Sequence, residues 1–206
     1  MSIKKIVLTG GPCAGKTTAL AYIREHFTNL GYTVLTVPEI PTMVTQSGWN
    51  YLSDNRAFYY EGEKVILELQ LEMEDKIQRI AETCTGDCII ICDRGAMDIS
   101  AYIDQEMWNE LLASCGTSNA KILWQYNGVI HLSTAAQGAE EFYTLSTNAN
   151  RYEKADEEGL ALARSLNEKV FEAWKSHPSF YSIESTTDFE LKMNKVIEAI
   201  KTILKK

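Results

Sequence analysis

Long apolar runs are missing from this 206-residue chain; no stretch approaches the ~18 consecutive apolar residues of a membrane span. The opening Met-Ser-Ile-Lys-Lys-Ile-Val-Leu-Thr has no apolar stretch of signal-peptide length, so a cytoplasmic protein is expected. Basic excess is missing too. Twenty Lys and Arg face 28 Asp and Glu, a net charge of −8, which argues against a non-specific nucleic-acid partner. Cysteine is sparse: five residues, three of them at Cys84, Cys88 and Cys92, fit neither a disulfide framework nor a usual zinc spacing. Cys88 and Cys92 fall in an apolar run, where Cys serves as a small apolar residue. Cys13 lies beside Lys16 and a helix start, so it is either a thiol of lowered pKa or simply a small loop residue. Only four prolines occur and no linker-like segment interrupts the chain. A single domain over residues 1–206 is expected, able to bury roughly 70% of its unfolded surface.

What is present alternates. Apolar runs at Lys4–Thr9, Thr33–Val37, Cys88–Cys92, Gly128–Leu132 and Phe180–Ile183 read as strands separated by helical sequence. That order predicts an α/β three-layer sandwich, a five-stranded parallel sheet with helices on both faces. A long acidic helix is expected over about Asn55–Thr83, with Ile66, Leu69, Met73, Ile77 and Ile80 as its core stripe. Ala163, Leu166, Val170 and Trp174 form a second stripe. A capping box, Thr187-Asp188-Phe189-Glu190, opens a last helix expected to bury Phe189, Met193, Val196, Ile200 and Ile203.

Between the first strand and first helix stands Gly10-Gly11-Pro12-Cys13-Ala14-Gly15-Lys16-Thr17, followed by Thr18: a phosphate-binding loop. Gly10 and Gly15 allow backbone angles that turn successive N–H groups around a polyphosphate, and the helix start adds further donors. Lys16 reaches the terminal phosphates and the Thr17 hydroxyl suits Mg²⁺. A nucleoside triphosphate is the expected partner, with Gly10 to Thr18 as its cradle.

In a parallel sheet ligands gather beyond the strand ends. The second strand delivers Glu39 between Pro38 and Pro41, placed as a general base for an acceptor hydroxyl, as a water-mediated Mg²⁺ contact, or as a solvated loop carboxylate. The third delivers Asp93, a Mg²⁺ partner, and Arg94, which clamps phosphate or forms a structural pair with the aspartate. About residues 133–153 read as a lid; Arg151 within it is a candidate for stabilising the transferring phosphate, or a surface partner of Glu153 or Glu157. Gln70, Tyr59 and Tyr60 are weaker candidates for acceptor contact, with packing the plainer reading. His131 and His177 read as packing residues.

These residues together resemble P-loop nucleoside and nucleotide kinases. Val-Pro-Glu at 37–39 and Asp-Arg-Gly at 93–95 look like the second- and third-strand motifs of deoxynucleoside and thymidylate kinases. Ala101-Tyr102, Ala135-Ala136-x-Gly138-Ala139-Glu140, Asn148-x-x-Arg151-x-Glu153 and Trp174-x-x-His177-Pro178 bring the chain closer to the NadR/Ttd-like AAA-domain family. That family groups the ribosylnicotinamide kinase domain of NadR with the nucleotide-binding domain of TRPL translocation defect proteins. The resemblance implies a P-loop NTPase fold with a lid and an ATP–Mg²⁺ phosphotransferase acting on a small nucleoside-like acceptor, with GTP the alternative donor. A regulatory nucleotide switch with slow or no hydrolysis is the competing reading. Ser185-Thr186-Thr187 is expected to border the donor base.

Overall fold

The structure is a computed structural model and describes residues 1–138 and 156–206. Five strands form one sheet: β1 (Ile3–Gly10), β2 (Thr33–Val37), β3 (Cys88–Asp93), β4 (Gly128–Leu132) and β5 (Phe180–Ile183). Every pairing is parallel and the order is β2-β3-β1-β4-β5. Parallel neighbours need crossovers, and helices supply them: α1 (Lys16–Asn29), α2 (Ile40–Gln46), α3 (Arg56–Ala81), α4 (Gln105–Ser114), α5 (Asn119–Trp124), α6 (Glu157–Trp174) and α7 (Phe189–Leu204). A 3₁₀ turn, Ala96–Ala101, follows β3.

Alternation along β1 sorts the two faces. Ile6 and Leu8 pack with Ala19, Ile23 and Phe27 of α1 and with Val196 and Ile200 of α7. Val7 points oppositely, toward Ile66 and Leu67 of α3 and Val170 and Trp174 of α6. This is the expected three-layer sandwich. Cys88 and Cys92 are buried on that second face as small apolar residues. His131 is also buried; its ring meets Phe171 and Phe180, and burial pushes its pKa down to about 4. His177 hydrogen-bonds Tyr126 O and Ser179 N, again a packing role.

Three expectations are corrected. The apolar stripe of α3 is not its most buried face: Ile80 is half exposed, whereas Glu63, Gln70 and Glu74 are buried. At 3.6 residues per turn the buried face lies roughly 65° around from the stripe. Compensating bonds permit this. Glu74 accepts from Gln70 Nε2 (2.7 Å) and Tyr126 OH (2.8 Å) and faces Lys5 Nζ at 3.5 Å. Asp188, not Thr187, caps α7, and Phe189 stays exposed because it sits in the first turn ahead of Met193. The Glu39–Pro41 stretch is not plain loop either: Glu39 is the N-cap of α2 and Pro41 lies in its first turn, where a missing N–H costs nothing.

Gly62 of α3 holds Trp49 in place. A Cβ there would lie 2.0 Å from the indole. Gly62→Ala is therefore expected to displace Trp49 from its stack on Tyr59 and to destabilise by about 1–2 kcal/mol, overpacking outweighing the better helix propensity. A shifted Trp emission spectrum together with a lower Tm would show it; an unchanged spectrum would refute it.

Candidate functional site

The loop between β1 and α1 wraps at the carboxyl end of the sheet. Gly10 takes φ 143° and Gly15, the N-cap of α1, φ 82°, both in the left-handed half of the map. Cys13 also has positive φ, 54°. The loop is held from outside. Asn167 of α6 is buried, and its Oδ1 accepts from Gly11 N (3.3 Å) and Thr134 N (3.0 Å). Thr134 Oγ1 donates to Pro12 O, and Ala135 N to Cys13 O. Lys192 of α7 donates from Nζ to Ala14 O (3.0 Å) and Ser133 O (3.4 Å). Burial lowers its pKa to about 8. These anchors come from three distant segments, and neither Asn167 nor Lys192 carries a motif signature. Lys16 itself is buried, with Nζ donating to Gly10 O and Gly11 O at 3.1 Å each. Thr17 and Thr18 are exposed at the helix start.

Beside the loop, β3 ends in Asp93, in register with Leu8 of β1. Burial raises the Asp93 pKa, helped by Glu39 and opposed by Lys16 and Arg94, and its Oδ1 is buried with no hydrogen-bond partner among the described residues. Such an orphaned oxygen is what a cation ligand leaves when the cation is not counted. No cluster of three or more His, Cys, Asp or Glu forms a ready metal cage among the described residues.

Arg94 turns away from Asp93. Its φ of 72° is unusual for a side chain with a Cβ, and the backbone is pinned there, Arg94 N donating to Leu8 O and Gln70 Nε2 to Arg94 O. The guanidinium is thereby aimed at Glu39, Nε to Oε1 at 2.6 Å, and at Asp98, NH1 to Oδ2 at 3.5 Å, with the Tyr102 ring 5.8 Å away. The structural alternative of an Asp93–Arg94 pair is thus corrected: the partners are Glu39 and Asp98. Glu39 is no solvated carboxylate. Burial raises its pKa, but Arg94 and Lys16, with the Thr42 hydroxyl on Oε2, bring it down to about 2. Asp98 is fully buried and accepts from Thr9 Oγ1 and Trp174 Nε1; burial still raises its pKa, against Arg94. Sequence reasoning missed Asp98: Arg94 has positive φ and Gly95 is extended, so no helical spacing rule joins the two residues.

A cavity of about 510 Å³ opens between the loop and α2–α3. Pro12, Glu39, Arg94 and Asp98 line it together with Trp49, Tyr51, Tyr59, Glu63 and Tyr102. Trp49 and Tyr59 stack at 5.9 Å between ring centroids with 15° between planes. Gln70 and Tyr59 reach this cavity and Tyr60 is not among its lining residues. The aromatic run Trp49-Asn50-Tyr51 was the overlooked sequence signal. Of the lid expected at about 133–153, residues 139–153 lie outside the described residues, among them Arg151 and the Ala139, Glu140, Asn148 and Glu153 positions of the motif series. Thr134 to Ala136, at its start, are buried against the phosphate loop. Among the described residues no helix is long and apolar enough to cross a membrane.

A family model described as AAA domain matches residues 5–192. No curated protein sequence matches the chain.

Proposed function

Because the chain belongs to the AAA domain family of P-loop nucleotide-binding proteins, we propose that it is an ATP–Mg²⁺ phosphotransferase for a small nucleoside-like acceptor. The carrying observation is the cavity: it abuts Pro12 of the phosphate loop, is large enough for a nucleoside, and has Glu39 and Arg94 in its wall. A hydrolase that only passes phosphate to water needs no such aromatic chamber.

Gly10 to Thr18 cradle the triphosphate through backbone N–H groups, and Lys16 exchanges the carbonyls of Gly10 and Gly11 for phosphate oxygens. Thr17 and Asp93 would hold Mg²⁺, which when bound neutralises charge on the phosphate oxygens. The acceptor hydroxyl points at Glu39, which stays ionised and accepts its hydrogen bond. As the acceptor oxygen bonds the terminal phosphorus, that phosphorus parts from the bridging oxygen of ADP and the hydroxyl proton passes to the carboxylate. A carboxylate held at about 2 is a weak base, so Glu39 acts chiefly by orienting the hydroxyl until bond formation makes its proton acidic. Arg94 fixes Glu39 in that pose, and Arg151 is assigned to the transferring phosphate. Residues 1–206 act as one domain in this reading, with Ser185 to Thr187 beside the base. The finer placement with the NadR/Ttd-like group rests on its motif residues converging on one cluster: Tyr102 on Arg94, and Trp174 on Asp98.

ADP release measured across a nucleoside panel tests the proposal. Glu39→Gln is expected to lower acceptor-dependent turnover by about 100-fold or more while ATP affinity stays within about twofold. Unchanged acceptor-dependent ADP production would remove Glu39 from this role. Turnover indifferent to every acceptor would favour the nucleotide-switch reading instead.

A further inference from the structure

Three carboxylates line the cavity against one guanidinium, and two of them, Glu39 and Asp98, already bind it. The third is Glu63, on the buried face of α3 and only 5% exposed. Among the described residues no cation acts on it: burial pushes its carboxyl up to about 7, opposed only by the Tyr59 hydroxyl. That hydroxyl has a single proton, shared between Glu63 and Tyr102 O at 3.2 Å, so a carboxyl with two oxygens has at most one donor beside it. A buried carboxyl with no cation beside it and lone pairs to spare is costly until a ligand supplies further donors. Gln70, two turns further along the same face, is committed elsewhere, its amide donating to Glu74 and to Arg94 O. Around Glu63 stand flat surfaces, the stacked Trp49 and Tyr59 with Tyr51 and Tyr102, which suit a planar ring.

We propose that Glu63 is the specificity-determining residue of this cavity, selecting an unphosphorylated nucleoside whose ring presents an amino or N–H donor edge. The assignment rests on the phosphotransferase reading of the same site. Glu63 accepts from the ring edge while Glu39, at the loop end, accepts from the sugar hydroxyl. A phosphate on the acceptor would meet a wall with three carboxylates whose guanidinium is already bound to two of them.

The test uses the full chain with Mg²⁺ and a non-hydrolysable ATP analogue filling the donor site. Adenosine and cytidine are titrated calorimetrically beside their des-amino analogues, purine riboside and pyrimidinone riboside, and beside their monophosphates. At least one amino nucleoside is expected to bind about tenfold or more tighter than its des-amino partner, and tighter than its monophosphate. Glu63→Met is expected to erase that preference while the ligand-free Tm holds or rises, since a buried carboxyl with no cation partner is removed. Glu63→Gln, which keeps an acceptor oxygen, retains part of the preference and serves if the Met variant fails to fold. Equal binding within each pair, a preference that survives in both variants, or tighter binding of monophosphates overturns the assignment. Nucleosides that bind without that preference sink Glu63 alone. If the ATP analogue binds and no nucleoside does, the phosphotransferase reading falls with it.

Discussion

Arg94→Met is expected to cost about 3–5 kcal/mol of folding stability, the range seen when one partner of a buried ion pair is removed. The variant strands two carboxylates together, Glu39 at 2.6 Å and Asp98 at 3.5 Å from the lost guanidinium. Acidification provides the sharper signature. In the parent protein Glu39 titrates at about 2, below its ordinary 4.5. Between these values the unfolded chain holds more protons than the native one, so stability falls as pH drops through that window. It is fully present above 4.5. For a side chain one-quarter exposed, a shift of this size is worth up to about 3 kcal/mol. Without Arg94 that loss disappears. Asp98, already raised by burial, is pushed higher still, and such a group loses stability as pH rises rather than falls. Urea melts at about pH 3 and about pH 7 should therefore converge in the variant while they diverge in the parent. Parallel pH dependence in both proteins would mean that Arg94 does not set the ionisation of Glu39.

Lys16→Ala is expected to abolish stabilisation by ATP–Mg²⁺ without unfolding the protein. Its ammonium is buried within the loop and is held by two carbonyls, so the fold has already met the cost of desolvating it. Triphosphate oxygens convert that cost into attraction in a setting where water does not screen it. A ligand at about 100 times its Kd stabilises by ~2.7 kcal/mol, and a 100-fold weaker Kd reduces this to a few tenths. The loop itself should persist, because Asn167, Thr134 and Lys192 hold its backbone independently of Lys16. A thermal shift with ATP–Mg²⁺ equal to that of the parent protein would dismiss the loop as the nucleotide site.

Much of the sheet was legible because strand burial is a local signal. Ile6-Val7-Leu8 and Ile89-Ile90-Ile91 have no polar face to offer, so only a strand covered on both sides accommodates them. The phosphate loop was legible for a related reason: positive φ at Gly10 and Gly15 is written into residue type. The cavity was not. Its walls come from α2, the Trp49–Leu52 stretch, α3, the turn after β3 and α6, and no spacing rule joins those segments. The short α2 was hidden by Pro41, which reads as loop unless its place in a first helical turn is known.

By itself the sequence determined the parallel sandwich, the loop at the end of β1, and the delivery of Glu39, Asp93 and Arg94 to one edge of the sheet. Each follows from properties carried by a few adjacent residues. Tertiary structure decided the partners. It turned α3 roughly 65° from its apolar stripe, because Tyr126 and Gln70 hydrogen-bond one Glu74 oxygen inside and Lys5 faces the other at 3.5 Å. That rotation brought Glu63 into the cavity. It also set Arg94 on Glu39 and Asp98 rather than on its neighbour Asp93, since pinning Arg94 at positive φ swings the side chain across the strand ends. Ion pairing depends on direction and distance in space, and neither is encoded by adjacency in the chain.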